Sequence, residues 1–162
     1  MTLVLDTSPI CFLLLIGEIE ILPRLYENIV APDIVLEELC HPEAPEEVQL
    51  WASRPPEWLE IRSALPITPT SLDFLDAGEK EAIRLALAIE GSLLVLDDRI
   101  ARDEARRLGI EVTGLLGILL RAGQRGLLDL PSALARLQRT HFYVSPGLIR
   151  DLLAQHSVVD PG

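Results

Sequence analysis

The sequence predicts an α/β domain, a three-layer α/β/α sandwich around a mainly parallel five-stranded sheet with extra helices toward its C-terminal end. Three observations predict it. Short apolar runs rich in β-formers alternate with helix-periodic segments, the signature of parallel strands joined by crossover helices. Two of the runs, Leu3 to Leu5 and Leu93 to Leu96, are continuously apolar, as strands covered by helices on both faces must be. Acidic residues follow those runs directly, Asp6 after the first and Asp97-Asp98 after the second, at the carboxyl edge where open parallel sheets bind ligands.

Taken in order, the strands are expected at Leu3–Leu5, Asn28–Ala31, Leu59–Arg62, Leu93–Leu96 and Ile110–Val112. Helical periodicity falls at Pro9–Ile16, with Ser8-Pro9 as N-cap and first helical residue, and at Ile19–Tyr26, Asp33–Cys40 and Glu46–Ala52. It recurs at Ala77–Glu90 and Ile100–Leu108, then at Leu115–Ala122, Leu130–Gln138 and Leu148–Gln155. The proline-dense stretch from Pro42 to Pro69 reads as a less regular region around one helix and one short strand. A domain core over residues 1–128 and a helical extension over 129–162 packed on it are expected.

Composition bounds the function. A chain of 162 residues, 49% hydrophobic, supports one well-cored domain. Its 14 basic and 25 acidic residues give a net charge of −11, which argues against broad adhesion to nucleic acid or anionic membrane. Cys11 and Cys40 sit in apolar helical segments and read as small buried hydrophobes in a reducing, cytoplasmic setting. The apolar stretch Ile10–Ile16 falls far short of the roughly 20 residues that span a bilayer.

The acids carry the chemistry. Isolated carboxylates in apolar surroundings are costly unless paired or bound to metal, so several converging ones read as a cation site. In Asp76-Ala-Gly-Glu79-Lys-Glu81, Asp76 and Glu79 have the spacing of a capping box, while Glu79 also falls on the stripe of Ala82, Ile83, Ala86 and Ile89, with Lys80 and Arg84 pointing away. Glu81, at the stripe's edge, is a second or alternative ligand. On Asp33–Leu39 the wheel puts Glu38 with Ile34, Val35 and Leu39 and turns Glu37 outward. Of Asp97 and Asp98, one can bind a cation while its neighbour caps the next helix. Arg99 and Arg102 stand ready to pair with them or to contact a phosphate.

This ordered combination, strand-Asp6, helix-Glu38, Gly78-Glu79-Lys80-Glu81-Ala82-Ile83 and Leu96-Asp97-Asp98 followed by Ala101-Arg102, resembles the PIN domain, in particular the subset with a Gly-Glu-x-Glu-Ala-Ile motif. The resemblance covers Thr2 to about Leu128, including Ile110-Glu-Val-Thr-Gly114. It implies a Mg²⁺- or Mn²⁺-dependent endoribonuclease, possible toxin of a VapC-type toxin–antitoxin pair, with Asp6, Glu38, Glu79 and Asp97 with Asp98 as its acidic motifs. Two departures stand out: a Glu holds the third position where Asp is usual, and the fourth lacks a Thr-x-Asp form.

All-oxygen donors suit Mg²⁺ or Mn²⁺, and the absence of Cys and His from the set disfavours zinc. Thr7 and Ser8 are candidates for hydrogen-bonding a ligand or a substrate phosphate. Arg99, Arg102 and Arg106, supported by Arg107, Arg121 and Arg125, form the expected RNA-binding patch, because Arg102 and Arg106 share one helical face. Apolar stripes at Leu115-Ile118-Leu119-Ala122 and Leu148-Leu152-Leu153 suggest a homodimer and an antitoxin-like protein partner. The rival reading is a noncatalytic interaction module of the same fold acting through self-association or an inhibitor. An aspartyl-phosphate phosphatase would need a second Asp close to Asp6, which Asp6-Thr7-Ser8 lacks, and a receiver-like domain another strand-end Asp, which Leu59–Arg62 does not supply.

Overall fold

The computed structural model describes residues 1–63 and 72–157. Five strands, β1 (Thr2–Leu5), β2 (Asn28–Pro32), β3 (Leu59–Arg62), β4 (Leu93–Val95) and β5 (Glu111–Thr113), form one parallel sheet in the order β3-β2-β1-β4-β5. Every predicted strand is present within one residue of its expected bounds. β1 is central because Leu3, Val4 and Leu5 are all inaccessible, so neither face of the strand tolerates solvent.

Side-chain alternation divides the sheet between two cores. Leu3, Leu5, Ile29, Ala31 and Val95 enter a larger core beneath α1 (Thr7–Leu15), α2 (Ile21–Leu25), α3 (Asp33–Leu39), α4 (Glu46–Ser53), α7 (Leu115–Gln124), α8 (Leu130–Gln138) and α9 (Pro146–His156). Val4, Val30, Leu94 and Leu96 enter a smaller one under α5 (Ala77–Ala88) and α6 (Arg99–Arg107). The period-2 geometry of a strand makes this division automatic. Leu130, Leu134, Leu137 and Leu152 from α8 and α9 belong to the same core as the sheet.

Several local expectations are corrected. Helix α1 starts at Thr7 rather than after a Ser8 cap, and Asp6 occupies the N-cap position. Pro9 is tolerated as the third helical residue because first-turn amides have no intrahelical acceptor. Cys40 is exposed at the end of α3, and only Cys11 is partly buried. Arg84 does not point away: its side chain is 10% exposed and pairs with Glu81 at 2.5 Å. The part of the proline-dense stretch from 64 to 69 lies outside the described residues, and the part before it holds α4 and β3 as expected.

The stripe Leu115-Ile118-Leu119-Ala122 is buried within the chain itself, so it closes the core and offers no interface. In α9, Leu152 is buried while Leu148 stays exposed. Among the described residues no helix is long and apolar enough to cross a membrane. Truncating Leu119, which is fully buried, is expected to cost about 2 to 5 kcal/mol in chemical denaturation of Leu119→Ala, with sedimentation unchanged; a shift in oligomeric state at constant stability would return that stripe to an interface.

Candidate functional site

Asp6, Thr7, Ser8, Cys11, Phe12, Glu38, Asp76, Glu79, Asp97 and Asp98 surround a single pocket of about 480 Å³. Its position follows from the sheet: strand order reverses between β1 and β4, and the crevice outside their carboxyl ends is where this topology leaves an opening. The pocket therefore gathers all four acidic positions expected from the sequence. Glu37 is exposed and outside it, as the helical wheel predicts.

Each acid is held differently. Asp6 is 6% exposed and, although at the N-cap of α1, makes no side-chain capping bond, so a cap does not explain it. Burial pushes its carboxyl up to about 7 in spite of the lowering by the Thr7 amide, and the charges of Asp76, Glu38 and Asp97 add to the rise. Glu38 accepts a short hydrogen bond from the Thr7 hydroxyl, which ties α3 to the start of α1. Its carboxylate is seated against Gly78, where an added Cβ would meet Oε2 at 2.7 Å and Oε1 at 2.9 Å.

Glu79 completes the capping box: its amide donates to Asp76 Oδ1 at 2.8 Å, and its own Oε1 accepts from the Asp76 amide at 3.3 Å. The cap and the pocket are both real, and the second arm of the box is the weaker one. Burial first, then Asp76, and more distantly Asp98, hold the Glu79 carboxyl above its ordinary range.

Asp97 and Asp98 divide their work. Asp98 Oδ2 accepts from the Ala101 amide at 2.9 Å and caps α6. Asp97 Oδ1 accepts from Leu115 N–H at 2.9 Å, capping α7 from across the sheet because its own N-cap, Gly114, has no side chain to do so. A Cβ on Gly114 would lie 2.8 Å from Asp97 Oδ1 and 3.4 Å from Arg102 Nη1. Burial raises the Asp97 carboxyl, while the Leu115 amide and Arg102 pull it back. Asp97 Oδ2 is buried with no partner.

The expected basic patch comes apart. Arg102 turns inward beside Asp97, with its Nε buried and unpartnered, whereas Arg106 stays exposed and pairs with Asp103 at 3.6 Å. Arg99 is exposed on the first turn of α6. Glu81 lies outside the pocket, paired with Arg84. Sequence reasoning took Asp76 as a cap only, and missed Cys11 and Phe12 of the wall; their place on the α1 face that follows Asp6 is the signal that finds them.

Among the described residues no three His, Cys, Asp or Glu side chains stand close enough to hold a metal ion. The residues nevertheless fit one in kind. They offer only carboxylate and hydroxyl oxygens, which hard divalent cations prefer, they raise one another's affinity for protons, and the buried Asp97 Oδ2 lacks a partner. A cation would replace the repulsion with attraction once the carboxyls draw together.

Two predictions follow from this geometry. Because the Asp6 carboxyl binds its proton more tightly folded than unfolded, the metal-free protein loses stability as pH rises from about 4 through about 7. Thermal melts in chelator are expected to show Tm falling across that window, with a flatter profile in Asp6→Asn; parallel profiles would count against a buried charge at Asp6. Gly78→Ala displaces the flexible end of Glu38 rather than backbone, so calorimetry should show weaker Mn²⁺ binding with a nearly unchanged Tm.

Comparison with known proteins places this geometry. No curated protein matches the chain. A solved PilT N-terminus domain protein from the hyperthermophilic archaeon Sulfolobus solfataricus is similar in structure at a TM-score of 0.49 and 16% identity, covering 90% of this chain and 100% of its own. The family described as PIN domain, DUF3368, matches residues 2–157, a family of typically metal-dependent nucleases. The chain belongs to the PIN domain family.

Proposed function

We propose that the chain is a metal-dependent endoribonuclease that hydrolyses phosphodiesters with Mg²⁺ or Mn²⁺ in the acidic pocket. The observation that carries this reading is the convergence of Asp6, Glu38, Glu79, Asp97 and Asp98 on one opening at the sheet's carboxyl edge. When bound, the cation supplies positive charge against the phosphate oxygens and makes water at the site more acidic. Asp6, Glu38 and the free oxygen of Asp97 are the holders. Thr7 fixes the orientation of Glu38, and the Leu115 amide fixes Asp97.

Hydrolysis joins a water oxygen to phosphorus and breaks one ester P–O bond, and the leaving oxygen must gain a proton. Glu79, whose carboxyl keeps its proton to higher pH than an ordinary Glu, is suited to hold that proton at the pocket wall. Glu81, engaged with Arg84, serves the α5 structure in this reading.

Resemblance to VapC-type toxins supports a toxin role with a protein inhibitor, and twofold self-association belongs to the same reading. The rival, a noncatalytic interaction module, has the exposed Leu148 of α9 and Tyr143 just before that helix on its side, and it needs no metal.

Purified protein incubated with structured and unstructured RNAs, with and without Mn²⁺, separates the two. Cleavage is expected only with metal, and Asp6→Asn and Glu79→Gln are expected to lower it at least a hundredfold, the scale of a lost acid–base or charge-stabilising group. Glu37→Gln, on the exposed side of α3, should cleave like wild type. Metal-independent or absent cleavage, with normal Mn²⁺ binding by Asp6→Asn, would leave the interaction module.

A further inference from the structure

The sheet ends on β5, which pairs with β4 on one side and, among the described residues, with no strand on the other. Along a parallel strand, successive residues turn their N–H and C=O to opposite sides. The Leu96 amide bonds to the Thr113 carbonyl at 2.9 Å, so Thr113, and with it Glu111, serves the ladder with β4. Val112 between them turns its N–H and C=O outward, a donor and an acceptor at the edge of the sheet. Because β5 holds three residues, that one outward residue is all the edge offers, too little for a further strand to pair with.

A cavity of about 420 Å³ opens against this edge. Met1 before β1, Leu93 at the start of β4 and Glu111 at the start of β5 line it, which places it toward the amino ends of the strands, away from the acidic pocket. Leu93 and Leu120 pack against the larger core and, with Ile118, form an apolar floor. Val112 turns its side chain to the smaller core on the other face of the sheet, so it meets the cavity with its main chain.

Tyr26, Arg121 and Glu111 stand around the same space. Burial raises the Tyr26 hydroxyl, Arg121 and then Arg125 pull it back, and Glu111 adds to the rise, so a guanidinium and a carboxylate of the cavity wall both act on one oxygen. They do not bond to each other: neither Arg121 nor Glu111 forms an ion pair among the described residues. Opposite charges held apart beside an apolar floor suit a ligand that carries both signs itself. A bare anion would satisfy Arg121 and be repelled by Glu111, and a bare cation the reverse.

We propose that this cavity binds a free α-amino acid with an apolar side chain, its carboxylate on Arg121 and the Tyr26 hydroxyl, its ammonium on Glu111 and its side chain on Leu93, Ile118 and Leu120. The outward N–H and C=O of Val112 offer the same two groups a further donor and acceptor. A free amino acid carries both charges on one carbon, whereas a residue within a peptide has lost at least one of them to an amide. The volume falls within the range of small-ligand pockets, about 300 to 1,000 Å³. The assignment is independent of the nuclease reading, because the two cavities share no residue.

The test titrates isotope-labelled protein with L-phenylalanine and reads backbone amide shifts by NMR, beside N-acetyl-L-phenylalanine, L-phenylalaninamide and L-serine, for wild type, Arg121→Gln and Glu111→Gln. L-Phenylalanine is expected to saturate below about 10 mM, displacing the Val112 amide and leaving those of Thr7 and Gly78, beside the acidic pocket, in place. Each blocked form should bind wild type about fivefold more weakly, the scale of one exposed charge pair, and serine about tenfold more weakly for want of the apolar side chain. Arg121→Gln should bind L-phenylalanine and its amide alike, and Glu111→Gln should bind L-phenylalanine and its acetyl form alike, because each variant removes the group that reads that end. Absence of saturation would overturn the site. So would equal affinity of wild type for a blocked form, which makes the cavity a seat for the carboxyl end of a peptide if the acetyl form binds and for the amino end if the amide does. Equal weakening of every ligand in both variants would overturn it as well. The blocked ligands act on the wild-type protein, so the outcome does not hang on the folding of any variant.

Discussion

Everything at the site depends on the parallel pairing of β1 with β4 at the point where strand order reverses. Leu5 stands opposite Val95, the Asp6 amide continues the ladder to the Val95 carbonyl at 3.3 Å, and Leu96 bonds onward to Thr113 at 2.9 Å. Those bonds hold Asp6 and Asp97 at one level of one edge. Because every strand is parallel, the helices that follow them also begin at that edge. The positive ends of α1, α5, α6 and α7 therefore face the carboxylates, and each helix end favours nearby negative charge. The fold supplies part of the compensation that makes so many buried acids tolerable.

The compensation is incomplete because several acids are shared between two tasks. Asp76, Asp98 and Asp97 each give one oxygen to a helix amide, and such caps are worth about 0.5 to 2 kcal/mol. Asp6 makes no such cap, and burial opposes its ionisation despite the adjacent Thr7 amide. A cation thus gains most at Asp6 and at the unbonded Oδ2 of Asp97, and disturbs the caps least there. Gly78 and Gly114 serve the same end: each leaves room, at a distance a Cβ would fill, for a carboxylate from another element.

Much of this was legible in the sequence, and the reason is periodicity. Continuous apolar runs marked β1 and β4, and the 3.6-residue wheel separated Glu38 from Glu37 and brought Glu79 inward. What the wheel left out was which charged side chains pair with one another and which helices cover a stripe. It turned Arg84 outward because a lone arginine belongs in water, whereas Glu81 on the same helix lets it be covered. It put Arg102 with Arg106 by spacing alone, whereas Asp97, on a neighbouring strand end, turns Arg102 inward. The stripe on α7 looked exposed only because the helices α8 and α9 that share its core lie later in the chain. Pairings across long sequence separation have no local signal.

Under the nuclease reading, the arrangement also bears on how a chain of net charge −11 would approach a polyanion. At physiological ionic strength charges are screened over about 8 Å, so a phosphate responds to the groups beside it and hardly to the total. The acids at the carboxyl edge repel a strand until a cation joins them. Along α7, Arg121 lies about 9 Å and Arg125 about 15 Å from Leu115 by helix rise, at or beyond that screening distance from the acids. Separating the two regions by about one to two screening lengths lets the acids be concentrated enough for a cation without cancelling the positive groups. A net charge computed for the whole chain hides that separation, and the relevant quantity is the sign of the charge within a few ångströms of each phosphate.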